Sequence, residues 1–422
     1  MRQLWDLDQW REIRAALAHN RLRTGLTAFG VFWGIFLLMV MLGSGAGLRN
    51  GVMRDFAGNA TNSVYIWTQR TQKPWAGMPA GRTFELDNSD VEAIRERIPD
   101  VETVAPRNQL GGFRGGNNVT RGARAGSFGV MGDYPEIIRI QPVRMERGRF
   151  LNHLDLEEVR KVAVIGTRVR DVLFEPGEDA VGQSILIRGV YFEVVGVFGP
   201  TQSGDDGDRQ AQTIFVPFTT FQRAFNFGND VGWLALTSLP DVRASVAEGK
   251  VLALLRSRHK VAPDDARALG HYNVEADYLK TRGLFTGIRL LVWIVGIGTL
   301  AAGAIGVSNI MLIIVRERTR EIGIRRAVGA TPAAVVSQIV LEAVILTGVA
   351  GYAGMVAGIA LIEIVGRLLP PGDGTRMFAN PDVGLGDAFQ ALAILVAAGV
   401  LAGLAPAQRA LAVSPTVALR GE

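Results

Sequence analysis

The chain has 422 residues, 48% of them hydrophobic, with a mean hydropathy of +0.20 and a formal net charge of +5. That hydropathy is high for a purely soluble protein, and the basic excess does not by itself indicate nucleic acid, because in a membrane protein the position of Lys and Arg says more than their sum. No cysteine occurs, which excludes a disulfide framework and any Cys-based metal or redox site.

In chain order, residues 1–23 carry Arg2, Arg11, Arg14, Arg21 and Arg23 and place Trp10, Ile13, Leu17 and Leu22 near one helical face. This pattern predicts a cytoplasmic interfacial amphipathic helix. No charge lies between Arg23 and Arg49, and about 20 apolar residues cross a hydrocarbon core of about 30 Å, so 24–49 reads as transmembrane helix 1. The apolar stretch is too long, and begins too late, for a cleaved signal peptide; it is expected to stay as an anchor.

Residues 50–284 change to mixed α and β patterning. Ser63–Trp67 is β-prone, and Asp87–Pro99 reads as a capped helix closed by proline. Lys161–Gly166, Ser184–Val190 and Tyr191–Val197 are strand-like, the last two joined as a hairpin across Arg188-Gly189. Gly111–Asn118 and Pro200–Asp208 are polar and Gly-rich and are expected to be exposed loops. The acidic one lacks the ligand spacing and closing Glu of an EF-hand, and the first lacks the lysine and strand-to-helix context of a phosphate loop.

Three further charge-free stretches, Leu290–Val315, Ala343–Ile362 and Ala388–Gln408, give transmembrane helices over 285–315, 333–366 and 388–408. A short external loop at 367–387 and a cytoplasmic tail at 409–422 complete the order. The basic residues are concentrated in the leader and in 316–332, whereas 367–387 carries Arg367 and Arg376 against Asp373, Asp382 and Asp387. The positive-inside rule therefore puts both termini and 316–332 in the cytoplasm and 50–284 outside. That external domain must be held by its own core, for which its length suffices.

No catalytic, cofactor-binding or metal site is expected. His19 is assigned to the cytoplasm, His153, His259 and His271 have no zinc-type spacing, and Gly43-Ser44-Gly45 is not a nucleophile elbow. Gly249-Lys250 is followed by Val251, so no Walker A motif occurs; ATP, if used, is hydrolysed elsewhere. Small residues recur four apart at Gly30 and Gly34, Ala302 and Gly306, Gly354 and Gly358, and Gly399 and Gly403, a spacing that lets helices approach closely in lipid. Glu342 is expected to pair with the Arg-rich segment, and Glu363 with Arg367.

The 316–332 segment is the strongest candidate for function. Glu317 can meet Arg320, and Glu321 can meet Arg325, on a helix that Gly323 and Gly329 loosen or end, and Thr331-Pro332 suits the start of the next helix. Ile322, Ile324 and Val328 are apolar yet outside the expected bilayer, which favours a docking surface over a solvated connector.

Asn309–Thr331, with Arg316-Glu317-Arg318-Thr319-Arg320-Glu321-Ile322-Gly323-Ile324-Arg325-Arg326-Ala327-Val328-Gly329 at its centre, resembles the signature of MacB/FtsX-type permeases of ABC transporters. Arg21–Thr27 followed by a span ending Gly43–Gly47 is similar to their first helix. Gly148-Arg149-Phe150, Val162–Gly166, Leu173-Phe174, Val181-Gly182 and Val194–Val197 resemble the family's periplasmic domain. The resemblance implies a four-helix bacterial inner-membrane permease with a large mixed α/β extracytoplasmic domain between helices 1 and 2. It implies a porter-like part, 50–125 plus 235–284, enclosing an inserted subdomain, 126–234.

The implied partners are a second permease copy, like or unlike, and a cytoplasmic ABC ATPase that binds ATP and Mg. A periplasmic adaptor and outer-membrane channel are compatible with it; nucleic acid is not among the partners. Because MacB itself carries a fused ATPase domain, a separate ATPase subunit is expected here. Glu317, Arg318, Arg320, Glu321, Ile322, Gly323, Arg325, Arg326 and Val328 are the expected ATPase-coupling residues, passing ATP-driven closure to the external domain (mechanotransmission) for efflux or export. Lipoprotein release or control of a cell-wall hydrolase are alternatives within the family, and a nucleotide-independent scaffold is one outside it.

Overall fold

The computed structural model describes residues 21–411 apart from 55, 57, 112–115, 202–203, 369–377 and 380. The expected amphipathic helix and the 409–422 tail therefore lie outside the described residues, except for Arg21–Arg23 and 409–411. The described residues divide into a helical unit (from 21–51, 284–368 and 378–411) and an α/β unit (from 52–283), and the breaks at 51/52 and 283/284 fall inside helices.

Four described helices are long and apolar enough to cross a membrane. They are α1 (Arg21–Arg54), α9 (Val274–Glu317), α11 (Pro332–Leu368) and α12 (Leu385–Leu411), with the short α10 (Thr319–Ala327) between α9 and α11. Helix α9 is longer than its charge-free stretch: at 1.5 Å per residue its 44 residues reach about 66 Å, twice the hydrocarbon thickness. In the helical unit Val31, Ile35, Leu38 and Met39 of α1 share a buried core with Val307 and Met311 of α9, Ile339 and Ala343 of α11, and Leu395 and Ala402 of α12. Arg289 of α9 pairs with Asp387 in the first turn of α12, and Arg367 pairs with Glu363 at 2.5 Å, one turn apart.

The α/β unit contains β1 (Ser63–Thr68), β2 (Leu86–Asp87), α2 (Asn88–Arg97), β3 (Val101–Leu110), β4 (Val119–Arg121), β5 (Arg124–Gly126), β6 (Gly129–Asp133), α3 (Ile137–Ile140), β7 (Arg144–Gly148) and α4 (His153–Glu157). It continues with β8 (Val162–Gly166), α5 (Thr167–Leu173), β9 (Ser184–Ile187), β10 (Val190–Gly199), α6 (Gly204–Ala211), β11 (Thr213–Pro217) and α7 (Phe218–Ala224). The last elements are β12 (Asp230–Val231), β13 (Trp233–Ser238), α8 (Ala244–Arg258) and β14 (Leu269–Asn273). One sheet runs β14-β1-β13-β3-β6-β11-β8-β10-β9-β4-β5, with β7 added beside β10.

Strand β3 belongs to both halves of this sheet. Its residues from Val101 to Arg107 pair with β13, and Asn108–Leu110 pair with β6. Pro106 has no N–H to offer, and the β6 ladder begins just beyond it. The hydrogen bonding therefore changes over near Asn108, upstream of the 125/126 border expected from the sequence, and β4 and β5 join the far half through β9. On one face, Val64, Ile66, Val104, Leu234 and Leu236 pack with Val91 and Ile94 of α2 and Val251 and Leu255 of α8. In the far half Val130, Ile165, Val194 and Ile214 pack with Val169 of α5 and Phe221 of α7.

The hairpin across Arg188-Gly189 is present, with Ile187 opposite Val190 and both turn residues at positive φ (43° and 87°), the two-residue turn that matches strand twist. Helix α2 has Asp87 as its N-cap and a reciprocal bond from Asp90. Two expected loops differ. Within Pro200–Asp208 the chain enters α6, because Asp205 and Asp206 sit at the favourable N-terminal end of a helix, Arg209 pairs with Asp206, and Gly207 and Ala211 are buried. Asn118, at the end of the other, is buried: its amide donates to the Phe128 carbonyl at 2.7 Å and accepts from the Phe128 N–H at 2.8 Å.

A buried polar cluster occupies the changeover strand. Arg107 of β3 grips Asp133 of β6 with two bonds of 2.6 and 2.9 Å and donates to Gln141 at 2.9 Å. Gln141 in turn donates to the Tyr65 hydroxyl, and the Arg107 guanidinium lies over the Trp233 ring. A buried charge that loses its partner is left unsolvated. Arg107→Ala or Asp133→Ala alone should destabilise by about 3–5 kcal/mol, whereas the double change Arg107→Met/Asp133→Leu should cost much less; equal losses of thermal stability in all three would contradict this account.

Asp90 gives a pH dependence. Burial pushes its carboxyl up, but hydrogen bonds from His259, Arg258 and the Asp87 N–H outweigh burial and hold it below the ordinary value. Its contribution is therefore complete above the unfolded value, about 3.9, and is lost as pH falls through the lower folded value. The acid limb of the chain's thermal stability should be shallower in Asp90→Asn, and less stable at pH 7, than in the wild type.

Candidate functional site

The 316–332 segment forms an elbow. Helix α9 stops at Glu317, and Arg318, whose ψ of 12° leaves the helical range, turns the chain into α10. The far end closes with a Schellman arrangement: Ala330 N–H donates to the Arg325 carbonyl and Gly329 N–H to the Arg326 carbonyl. This needs Gly329 at φ +109°, a conformation in which a side chain is strained. Thr331 Oγ1 then accepts the Ala334 N–H at 3.3 Å, and Pro332 opens α11 at the position where a missing N–H costs nothing.

Three arginines fasten α10 to the helical unit. Arg318 reaches Glu342 of α11 at 3.3 Å and Glu321 at 3.5 Å. Arg325 donates to Gln338 of α11 at 3.0 Å and pairs with Glu321 at 2.8 Å. Arg326 donates to the carbonyl of Leu411 at 2.9 Å, where the exposed carbonyls at the end of α12 favour a cation. Glu342 is only 3% exposed, so its carboxylate depends on Arg318 for much of its solvation. A cavity of about 30 Å³, room for about one water, is bounded by Arg318, Glu321, Arg325 and Glu342.

The nine expected coupling residues fall on two sides of α10. Arg318, Ile322, Gly323, Arg325 and Arg326 turn toward the helical unit, Gly323 being buried and Ile322 packed on its core. Glu317, Arg320, Glu321 and Val328 face outward, and Ile324 joins them. Arg320, Ile324 and Val328 are spaced four apart, so they make one stripe on a helix. Val328 is 85% exposed. Ile324, read from the sequence as apolar but not counted among the site residues, could have been found from this spacing. Glu317 and Arg320 form no ion pair among the described residues.

The small residues are also divided. A Cβ on Gly354 would overlap the Phe32 carbonyl, and one on Gly358 would come within 2.7 Å of Met39 Cβ, so α11 meets α1 through these two positions. Gly399 and Gly403 lie against Thr347, Val344 and Val340, joining α12 to α11. Gly34 touches Thr299 and Leu300, and Gly306 only the tip of Thr27, whereas Gly30 and Ala302 are exposed. Gly296 and Gly303, one heptad apart on the side of α9 that meets Leu38 and Val31, carry the close approach of α9 to α1.

A family profile described as the MacB-like periplasmic core domain matches residues 24–268, and one described as the FtsX-like permease C-terminal region matches 293–415. The pyoverdine export ATP-binding/permease protein PvdT of Pseudomonas putida is 34% identical over 96% of this chain and 58% of its own length. The macrolide export ATP-binding/permease protein MacB of Shewanella oneidensis is 28% identical over 96% and 59%. The chain thus spans less than two thirds of these relatives. A crystal structure of the periplasmic region of MacB from Actinobacillus actinomycetemcomitans aligns with 54% of this chain and 96% of that one, at 17% identity and a TM-score of 0.43.

Gly358→Val should lower the thermal stability of the purified chain by overpacking α11 on Met39, by about 1–3 kcal/mol. Gly30→Val, which meets open space, should leave it unchanged. Equal effects of the two would refute the packing assignment.

Proposed function

Because the chain belongs to the FtsX-like permeases that carry a MacB-like periplasmic core domain, we propose that it couples ATP hydrolysis, on an ABC ATPase outside these 422 residues, to motion of its periplasmic domain, in the service of export. The observation that carries this reading is the two-sided α10. Its inner side is tied by Arg318, Arg325 and Arg326 to α11 and α12, and its outer side presents Arg320, Glu321, Ile324 and Val328. An apolar stripe beside charged residues, on a short anchored helix, has the composition of a protein-docking element. The cytoplasmic side for α10 follows from its arginines.

Force applied to the outer stripe would pass through Arg318 into α9 and through Glu342 and Gln338 into α11. Helix α9 and helix α1 each run across a boundary between the two units, which supports them as the route outward. The second permease copy of this reading brings a second α10, so that two ATPases closing on each other act on both. The export direction rests on the relatives, whose names give pyoverdine and macrolide export as theirs.

Replacing Glu321 and Arg325 together with alanine should uncouple ATP hydrolysis from export while leaving membrane insertion intact. The measurements are export by cells and ATPase rate in the reconstituted complex. Unchanged export in the double variant, or failure of the chain to bind any ABC ATPase, would remove the coupling assignment and favour a nucleotide-independent scaffold.

A further inference from the structure

The α/β unit carries a protrusion that its own cores do not use. Residues 72–81 are exposed throughout, and at their tip Trp75 and Met78 exchange two backbone hydrogen bonds, 3.1 and 2.9 Å, across a two-residue turn. The turn residues Ala76 and Gly77 both have positive φ, 50° and 81°. For alanine that conformation is strained. Trp75 is 49% exposed and Met78 37%, and neither belongs to the buried clusters of this unit.

The protrusion is nevertheless firmly built. Gly81 N–H donates to the Thr71 carbonyl at 2.7 Å and Thr71 N–H to the Arg82 carbonyl at 3.0 Å. Asp265, itself buried, accepts the N–H groups of Gln72 and Lys73 at 2.7 and 3.2 Å, and the Lys73 ammonium meets Asp264 at 2.5 Å. Arg82 donates to the Lys260 carbonyl at 2.9 Å. An indole and a thioether are thus held out in water at a fixed separation and direction, which the folded domain itself does not need. Exposed Trp and Met with an adjacent Arg have the composition of an interface anchor.

Charge indicates the partner. Gln69 N–H donates to the Ala268 carbonyl at 2.8 Å, which sets Arg70 beside Arg267 at the base of the protrusion. Both are exposed, and neither side chain has an ion-pair partner among the described residues. The nearby acids Asp264 and Asp265 are already engaged. Two cations below an apolar tip are complementary to an apolar pocket with an acidic rim. A lipid surface would accept a tryptophan in many orientations and requires no fixed pair of side chains, so the preset turn favours a protein.

We propose that the 71–82 hairpin is a docking knob for a partner protein that receives Trp75 and Met78 in an apolar pocket and faces Arg70 and Arg267 with carboxylates. The test uses the full chain in its native membrane with a benzophenone amino acid at the exposed Ala80, irradiated in living cells, and the adduct peptide mapped. The expected adduct joins another protein at an apolar site containing Asp or Glu. Its yield should fall about tenfold or more in Trp75→Ala, the loss of a tryptophan anchor, and be largely kept in Trp75→Phe. It should also fall in Arg70→Glu/Arg267→Glu and return when the mapped acids are changed to lysine. No protein adduct, a lipid adduct only, an adduct to a second copy of this chain, or a yield indifferent to Trp75→Ala or to charge reversal would each overturn the proposal.

Discussion

One guanidinium, that of Arg318, sets the geometry on which the candidate coupling region depends. It stands at the single residue where α9 gives way to α10, and it reaches two carboxylates beyond the bend, Glu321 on α10 and Glu342 on α11. Glu342 is buried, so the pair is costly to separate, and the bend is thereby tied to the helix that follows it. Arg325 and Arg326 add polar ties to α11 and to the end of α12. With its inner side committed in this way, α10 has only one face left to offer, and the arrangement of Arg320, Ile324 and Val328 on that face follows from helical spacing alone.

The helical elements were legible because hydrocarbon tolerates neither charge nor unpaired backbone, so a run without Asp, Glu, Lys or Arg reports a span directly. Their ends were not. Helix α9 begins at Val274, among Glu275, Asp277, Lys280 and Arg282, because a helix continuing into water has no reason to avoid charge. The Glu321–Arg325, Glu363–Arg367 and Arg318–Glu342 pairs were readable from spacing or from the expected proximity of the segments. Which small residues make close approaches was not: Gly30 and Gly34 have the same spacing as Gly354 and Gly358, and only the packed neighbour decides whether room is needed.

In the α/β unit, strands with uniform apolar character such as Val162–Gly166 and the Asp87-capped α2 were evident, since alternation and capping are local properties. The sheet order, with β13 returning between β1 and β3, depends on pairings between distant residues and leaves no local trace. Helix α6 was hidden by glycine and aspartate, residues that favour loops yet also serve at a helix N-terminus when the helix has a small-residue face to bury. Asn118 looked like a loop residue because its two bonds are to the backbone of Phe128, a partner that sequence pattern cannot nominate.

The placement of β1 bears on how the chain is made. Its two neighbours, β13 and β14, are the last strands to be synthesised, whereas β6 through β11 find all their partners among themselves and the earlier β3 and β4. Because non-local pairing is slow and domains form as they leave the ribosome, the middle of the unit closes first and β1 waits with both edges open. An unpaired, aromatic-rich strand is an aggregation hazard. Here it is tethered a few residues beyond α1, so the helix that anchors the newborn chain also keeps its most vulnerable strand from diffusing away before the closing strands arrive.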